Sequence, residues 1–402
     1  MNIETIATFA FFIGMAAFLY SRRKKIAIQK IFYPVLYFVM YRTKIGLKLM
    51  DKYAKKFRKT IKVLSFIGII VGFAGMLLLT FELGRSLYTS LAQPEAPSPV
   101  ALVLPFETQA EGVVSVPFFH WIISIFIIAV VHEYAHGVVA RAYDIKIKSS
   151  GFAFLSILIP IIPAAFVEPD EKIMPKRPKK QQLSVLAAGA FANILLAIVS
   201  VLVLVFAVIP IADSLAIENG IEITKVVRNR HDKANPFPAE LAGVRPGETI
   251  KSIDNEAMLS ALNFTAYMSK RKPGELILME TDKGVYNIKL GSNPKNESRP
   301  YIGVSLAQSF DVKPDIKQRF GFLVIILPIL LWFVELLRWL FLLNIGIGLF
   351  NLVPIGPIDG GRMSHLVLTS YLGKKNGEKW WKYISFALLA LIILLFIIAM
   401  TK

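Results

Sequence analysis

His132-Glu133-Tyr134-Ala135-His136 follows the apolar run Trp121–Val131, and the two stretches together decide what kind of chain this is. On a helix, residues four apart share a face. Both imidazoles can therefore reach one Zn²⁺, and Glu133 beside them can accept a proton from a water bound there. The five-residue pattern alone arises by chance in roughly one chain in a hundred. Its setting is more telling. The apolar segment that carries it, about 118–141, is long enough to cross roughly 30 Å of hydrocarbon. Ionisable groups at that depth are costly and are seldom kept without a function. The plain alternative, two buried histidines bonded within a helix bundle, gives Glu133 nothing to do.

Two histidines leave a catalytic zinc one protein ligand short of its usual three. The chain has no cysteine, and its other histidines are His120, His231 and His365. His120 lies roughly 18 Å before His132 along a helix. His231 falls in a polar insert between spans, and His365, near a span end, is geometrically able to reach the pair. The acids in or near apolar segments are Glu82, Glu168, Glu335 and Asp359. Asp359 stands in Asn351-Leu-Val-Pro-Ile-Gly-Pro-Ile-Asp-Gly-Gly361, where two prolines break the helix and two glycines permit tight turning after the acid. Such a stretch presents a side chain from an unwound span end. The plain alternative is a loop acid capping the next helix.

Outward from these motifs the chain reads as a membrane protein. Of 402 residues, 55% are apolar and 18% charged, against roughly 45–50% and about 25% in soluble domains. The net charge is +18. A nucleic-acid binder would need its basic residues on a folded polar surface, so we expect no nucleic-acid partner. Six spans are expected, at about 3–20, 63–81, 118–141, 183–211, within 320–353, and 383–400. The first is read as an uncleaved anchor, because its positive charges follow the apolar run. Within 320–353, Glu335 and Arg338 suggest a surface-lying segment, 320–334, and then one span. Fourteen Lys/Arg lie in 21–62, five in 172–180 and five in 362–382, whereas 85–117 holds one. The basic loops belong in the cytoplasm. Both termini are then expected outside, with His132, His136 and Asp359 toward the cytoplasmic ends of their spans.

Three segments are not spans. Ile31–Met40 and the basic stretch after it, to Lys62, are expected to form a helix on anionic headgroups. Segment 151–169 is apolar but holds Pro160 and Pro163, so a re-entrant loop or edge hairpin dipping into the membrane is expected. Residues 213–311 alternate as short strands, at Thr249–Ile253, Leu276–Thr281 and Val285–Leu290, with tight turns at Asp254-Asn255 and Asp282–Gly284. That insert resembles the PDZ domains of membrane proteases, which receive a peptide or C-terminus along a sheet edge. The expected organisation is an anchor region with two spans and a basic cytoplasmic segment (1–115), a first part of the membrane core (116–212), an extracytoplasmic PDZ-like α/β domain (213–311), and the rest of the core with the last span (312–402).

Taken with Asn351–Gly361, the His-Glu-Tyr-Ala-His motif resembles the site-2 protease family of intramembrane zinc metalloproteases. The likeness covers about 120–150, Ala188–Asn193 and 344–365. It implies that His132, His136 and Asp359 bind Zn²⁺ and that Glu133 is the base and proton shuttle. The family's Gly-Pro-x-x-Asn matches Gly189, Ala190 and Asn193, with alanine for proline, and implies that Asn193 donates to the substrate or transition state. Asn351 and Pro354 match positions near the substrate strand, and Ile358 replaces the family's leucine before Asp359. The resemblance implies an integral multi-pass protein of the cell membrane that cuts transmembrane protein substrates in the lipid bilayer. Other readings are a prenyl-protein-type membrane zincin, which would take a helical Glu as third ligand; a catalytically silent membrane scaffold, which would have lost one of the three motif residues; and a transporter, which would show internal repeats.

Overall fold

The protein is described here from a computed structural model, covering residues 3–32, 36–93, 101–105, 112–157, 159–170, 172–227, 236–294 and 296–401. His231 lies outside the described residues. The chain is mostly helical, and it divides into two compact units, residues 1–204 with 335–402 and residues 205–334. Among the described residues, five helices are long and apolar enough to cross a membrane. They are α3 (Arg58–Ala92), α4 (Phe118–Ala142), α5 (Lys179–Val203, continuing to Leu215), α7 (Leu323–Phe350) and α9 (Gly373–Thr401). The stretch expected as a first span is the helix α1 (Ile3–Ser21), which is not among those five. Leu77, Phe81, Phe206 and Ile325 stand exposed on the long helices, as side chains facing lipid would.

Two expectations are corrected. Residues 320–353 do not split at Glu335, because α7 runs unbroken across it. Glu335 and Arg338 sit one turn apart and pair at 2.7 Å, so the charges that suggested a break neutralise one another on one helix face. Residues 31–32 and 36–40 are not helical. They belong to β1 (Ile26–Phe32) and β2 (Leu36–Thr43), and only Leu47–Lys56 (α2) forms a short helix before α3. The aromatic and β-branched run Leu36-Tyr-Phe-Val-Met-Tyr41 suits a pleated surface better than a helix. β2 pairs with β1 on one side, and its partner on the other lies more than a hundred residues on. It is β3 (Ile147–Ile157), with Tyr41 opposite Phe152 and Arg42 opposite Gly151.

Segment 151–169 is the hairpin form of the expectation. β3 pairs with β4 (Ile159–Pro169), and the antiparallel sheet runs β1-β2-β3-β4 with β4 at one edge. An edge is where strand prolines are tolerated. The sheet is tied down at its base by Arg42, which holds Glu168 at 2.8 Å, and β4 packs along α4.

Small residues bring the helices together. Gly68, Gly72 and Gly75 of α3 meet Phe191, Met363 and Leu352. Ala187–Ala190 lets α5 lie close on α4, over a core of Val139, Ala140, Ile145, Val185 and Ala188. The short helix α8 (Asp359–Tyr371) packs on α5 and α9.

The second unit holds β5 (Ala216–Val226), β6 (Glu248–Ile253), α6 (Ala261–Ser269), β7 (Leu276–Thr281), β8 (Val285–Lys289) and β9 (Val304–Val312), in the sheet order β8-β7-β6-β5-β9. Ile221, Ile223, Ile250, Ile253, Met279 and Ile288 form its fully buried core. The Asp254-Asn255 turn has positive φ at both residues, +48° and +66°, as a tight two-residue hairpin turn requires. Asp254 also accepts from the Leu278 amide (2.7 Å) and the Tyr267 hydroxyl (2.5 Å). These bonds hold its carboxyl below the usual carboxylate range. Burial, then the hydrogen bond to Asp254, pushes the Tyr267 phenol up to about 12.

Candidate metal centre

His132 and His136 stand one turn apart on α4, and Asp359 opens α8. Asp359 Oδ2 lies 3.1 Å from His132 Nε2 and 3.2 Å from His136 Nε2, and the two Nε2 atoms are 3.1 Å apart. A tetrahedral zinc with ligands at about 2.0–2.1 Å separates them by about 3.3–3.4 Å, so the donor set has the right size. Among the described residues these three form the one cluster of histidine and acid ligand atoms close enough to share an ion. The other acids near the membrane are engaged elsewhere: Glu82 with Arg85, Glu168 with Arg42, and Glu335 with Arg338. His365, the other histidine within geometric reach, packs edge-on against Trp381 at 4.9 Å.

The tautomers also suit a cation. His136 Nδ1 donates to the Val185 carbonyl at 2.6 Å, which leaves Nε2 with a bare lone pair facing the carboxylate. The Asn193 carboxamide lies 3.2 Å from His132 Nδ1 and is fully buried. The near atom is Asn193 Nδ2, and a half-turn of the carboxamide puts its otherwise partnerless oxygen there, to accept the Nδ1 proton of a His132 that ligates through Nε2. With both Nε2 atoms bare, the buried Asp359 Oδ2 has no hydrogen-bond donor. Three electron-rich atoms then converge on one point, and a divalent ion satisfies all of them at once.

The turn before Asp359 is built by close backbone approach. A Cβ on Gly360 or Gly361 would strike the carbonyls of Leu352, Val353 and Ile355. The Gly360 amide donates to the Asn351 carbonyl at 2.7 Å. From α9, Trp381 Nε1 donates to the Gly361 carbonyl (2.8 Å) and Ser385 to the Pro354 carbonyl (3.1 Å). Asn351 and Pro354 are thus placed by their main chains in the turn that presents Asp359.

Glu133 lies beside the two histidines and accepts from the Val167 amide of β4 at 3.0 Å. This contact and the Val185 carbonyl were not legible in the sequence, because main-chain partners carry no residue signature. The close packing at Gly189 is the third omission. A Cβ there would sit against Nε2 of both His132 and His136, closer than real Cβ atoms approach. Gly189→Ala is therefore expected to displace the imidazoles and weaken zinc binding at least about 10–100-fold, the scale of a lost supporting contact. Metal analysis of the purified variant checks this, and wild-type zinc affinity would refute it.

The sequence model of peptidase family M50 matches residues 120–395. The chain is 27% identical over 328 residues to an uncharacterized protein of Methanocaldococcus jannaschii, a match that covers 80% of this chain and 75% of that one. A solved PDZ domain, from the SdrC-like protein of Listeria monocytogenes, is 26% identical over 22% of this chain and 88% of its own, with a TM-score of 0.18, too low to speak to the fold.

Proposed function

The chain belongs to peptidase family M50, whose members are zinc metalloproteases, and from that premise we propose that it is an intramembrane endopeptidase, cutting peptide bonds within or near the transmembrane helices of membrane-anchored proteins. The family and the five apolar helices mark a multi-pass membrane protein. The observation that carries the finer reading is the convergence of Asp359 on His132 and His136 of a helix of membrane-spanning length, with Glu133 between them and a strand edge.

His132, His136 and Asp359 would hold the ion. Bound there, zinc supplies Lewis-acid polarisation of a carbonyl and a water of lowered pKa. Glu133 takes the proton of the attacking water on its carboxylate and returns it to the leaving amine. The Val185 carbonyl keeps His136 in its ligating tautomer, and the Asn193 carboxamide, turned so that its oxygen faces Nδ1, would do so for His132. A helical substrate shields its own carbonyls and must unwind locally. The β4 edge can hold the opened segment extended by strand addition, and Asn351 and Pro354 border its path. The basic loops support a cytoplasmic side for the active site, with both termini and the 213–311 domain outside. That domain, read as PDZ-like, would take a peptide or C-terminus.

The test is reconstitution of the full chain in liposomes with a single-span polypeptide. Chelation should abolish cleavage, and stoichiometric Zn²⁺ should restore it. Undiminished cleavage in chelator would overturn the proposal.

A further inference from the structure

The outer edge of β4 offers few places to bind. Asp170 donates its amide inward, to the Lys146 carbonyl of the β3 side, whereas Val167 donates outward, to Glu133. Amides of a strand alternate in direction. Between 163 and 169 the outward positions are therefore Pro163, Ala165, Val167 and Pro169. The two prolines have no N–H. Ala165 and Val167 are the two donors left on that stretch, and Val167 is held by the catalytic carboxylate. A cavity of about 640 Å³, lined by Phe11, Phe18, Ile122, Phe126, Phe152 and Pro163 among others, opens beside the Pro163 end of this edge.

We propose that the Ala165 and Val167 amides are the two donors with which β4 grips an extended substrate segment, and that the substrate takes the Val167 amide from Glu133. The inference rests on the peptidase reading and adds to it a positioning contact with a second use. At rest the amide holds Glu133 against the strand. When a substrate carbonyl pairs with Val167, the carboxylate is released beside the histidines, so the base is freed where and when a peptide lies along the edge. The short window also limits how much of a substrate helix must unwind, because no donor follows until past each proline.

The exchange is tested by a double-mutant cycle on full-length protein in zinc-loaded liposomes. The probe is a synthetic single-span Leu/Ala peptide with a central Asn-Pro pair. Glu133→Gln keeps a carbonyl that can accept from Val167, and Glu133→Ala does not. Glu133→Ala should bind the probe about three- to tenfold more tightly than Glu133→Gln, the worth of one hydrogen bond. The difference should vanish when Val167→Pro is added to both. Proline at that position has the same outward phase as Pro163 and Pro169, and zinc content reports whether the fold survives. If it does not, the comparison of the two single variants still decides. Equal affinities, or a difference that persists in the Val167→Pro background, would overturn the exchange. Wild-type protein is assayed on the same probe. If it leaves the peptide intact, the peptidase reading itself falls; if it cleaves while the cycle shows no coupling, the exchange alone is lost.

Discussion

Glu133→Gln is expected to leave the zinc content unchanged while lowering cleavage of a transmembrane substrate by about 10²–10⁴-fold, the span of general acid–base catalysis. The substitution is nearly isosteric. The carboxamide oxygen it introduces can still accept from the Val167 amide at the position now used by Glu133 Oε2. The three ligand atoms belong to other residues, and the two histidines keep their partners at Val185 and Asn193. What is lost is a group able to accept a proton and give it back. Rate measurements on the reconstituted variant, together with metal analysis, check both halves. Cleavage within tenfold of wild type would remove Glu133 from the role of base.

Asp359→Ala is expected to strip the metal and, with it, all cleavage. Two imidazoles remain; Glu133 is held by the Val167 amide, and Glu82, Glu168 and Glu335 are each paired with an arginine. We expect zinc affinity to drop at least about 100-fold, more than for loss of a supporting contact. Helix α8 should persist, because Gly360, Gly361 and Trp381 hold its start by main-chain contacts that do not involve the carboxylate. Unchanged zinc in this variant would point to a different third ligand, as in the prenyl-protein type of membrane zincin.

Much of this was local and therefore readable. The two histidines share a helix face by spacing alone. The prolines and glycines around Asp359 mark an unwound span end whatever packs against it. Strands and turns of 213–311 follow from alternation and from Asp254-Asn255, and the structure has a strand at each of the three stretches so read. The errors lie where partners are distant or charges cancel. A short apolar run cannot be assigned to helix or strand by periodicity, and β2 is a strand set between β1 and β3, the latter from more than a hundred residues away. Glu335 and Arg338 looked like a boundary because their pairing on one helix face is invisible to a count of charges.

By itself, then, the sequence determined the class of protein and the helix that carries the two histidines, since both depend on spacing within one segment; Asp359 as their companion was implied by the family resemblance, and the fold brings it to them. The tertiary structure alone decided the supports. It placed Val185 behind His136, Asn193 behind His132, Gly189 under both rings and Val167 against Glu133. Main-chain groups and an absent Cβ look alike at every position of a chain. They acquire a function only when packing sets them against a particular side chain.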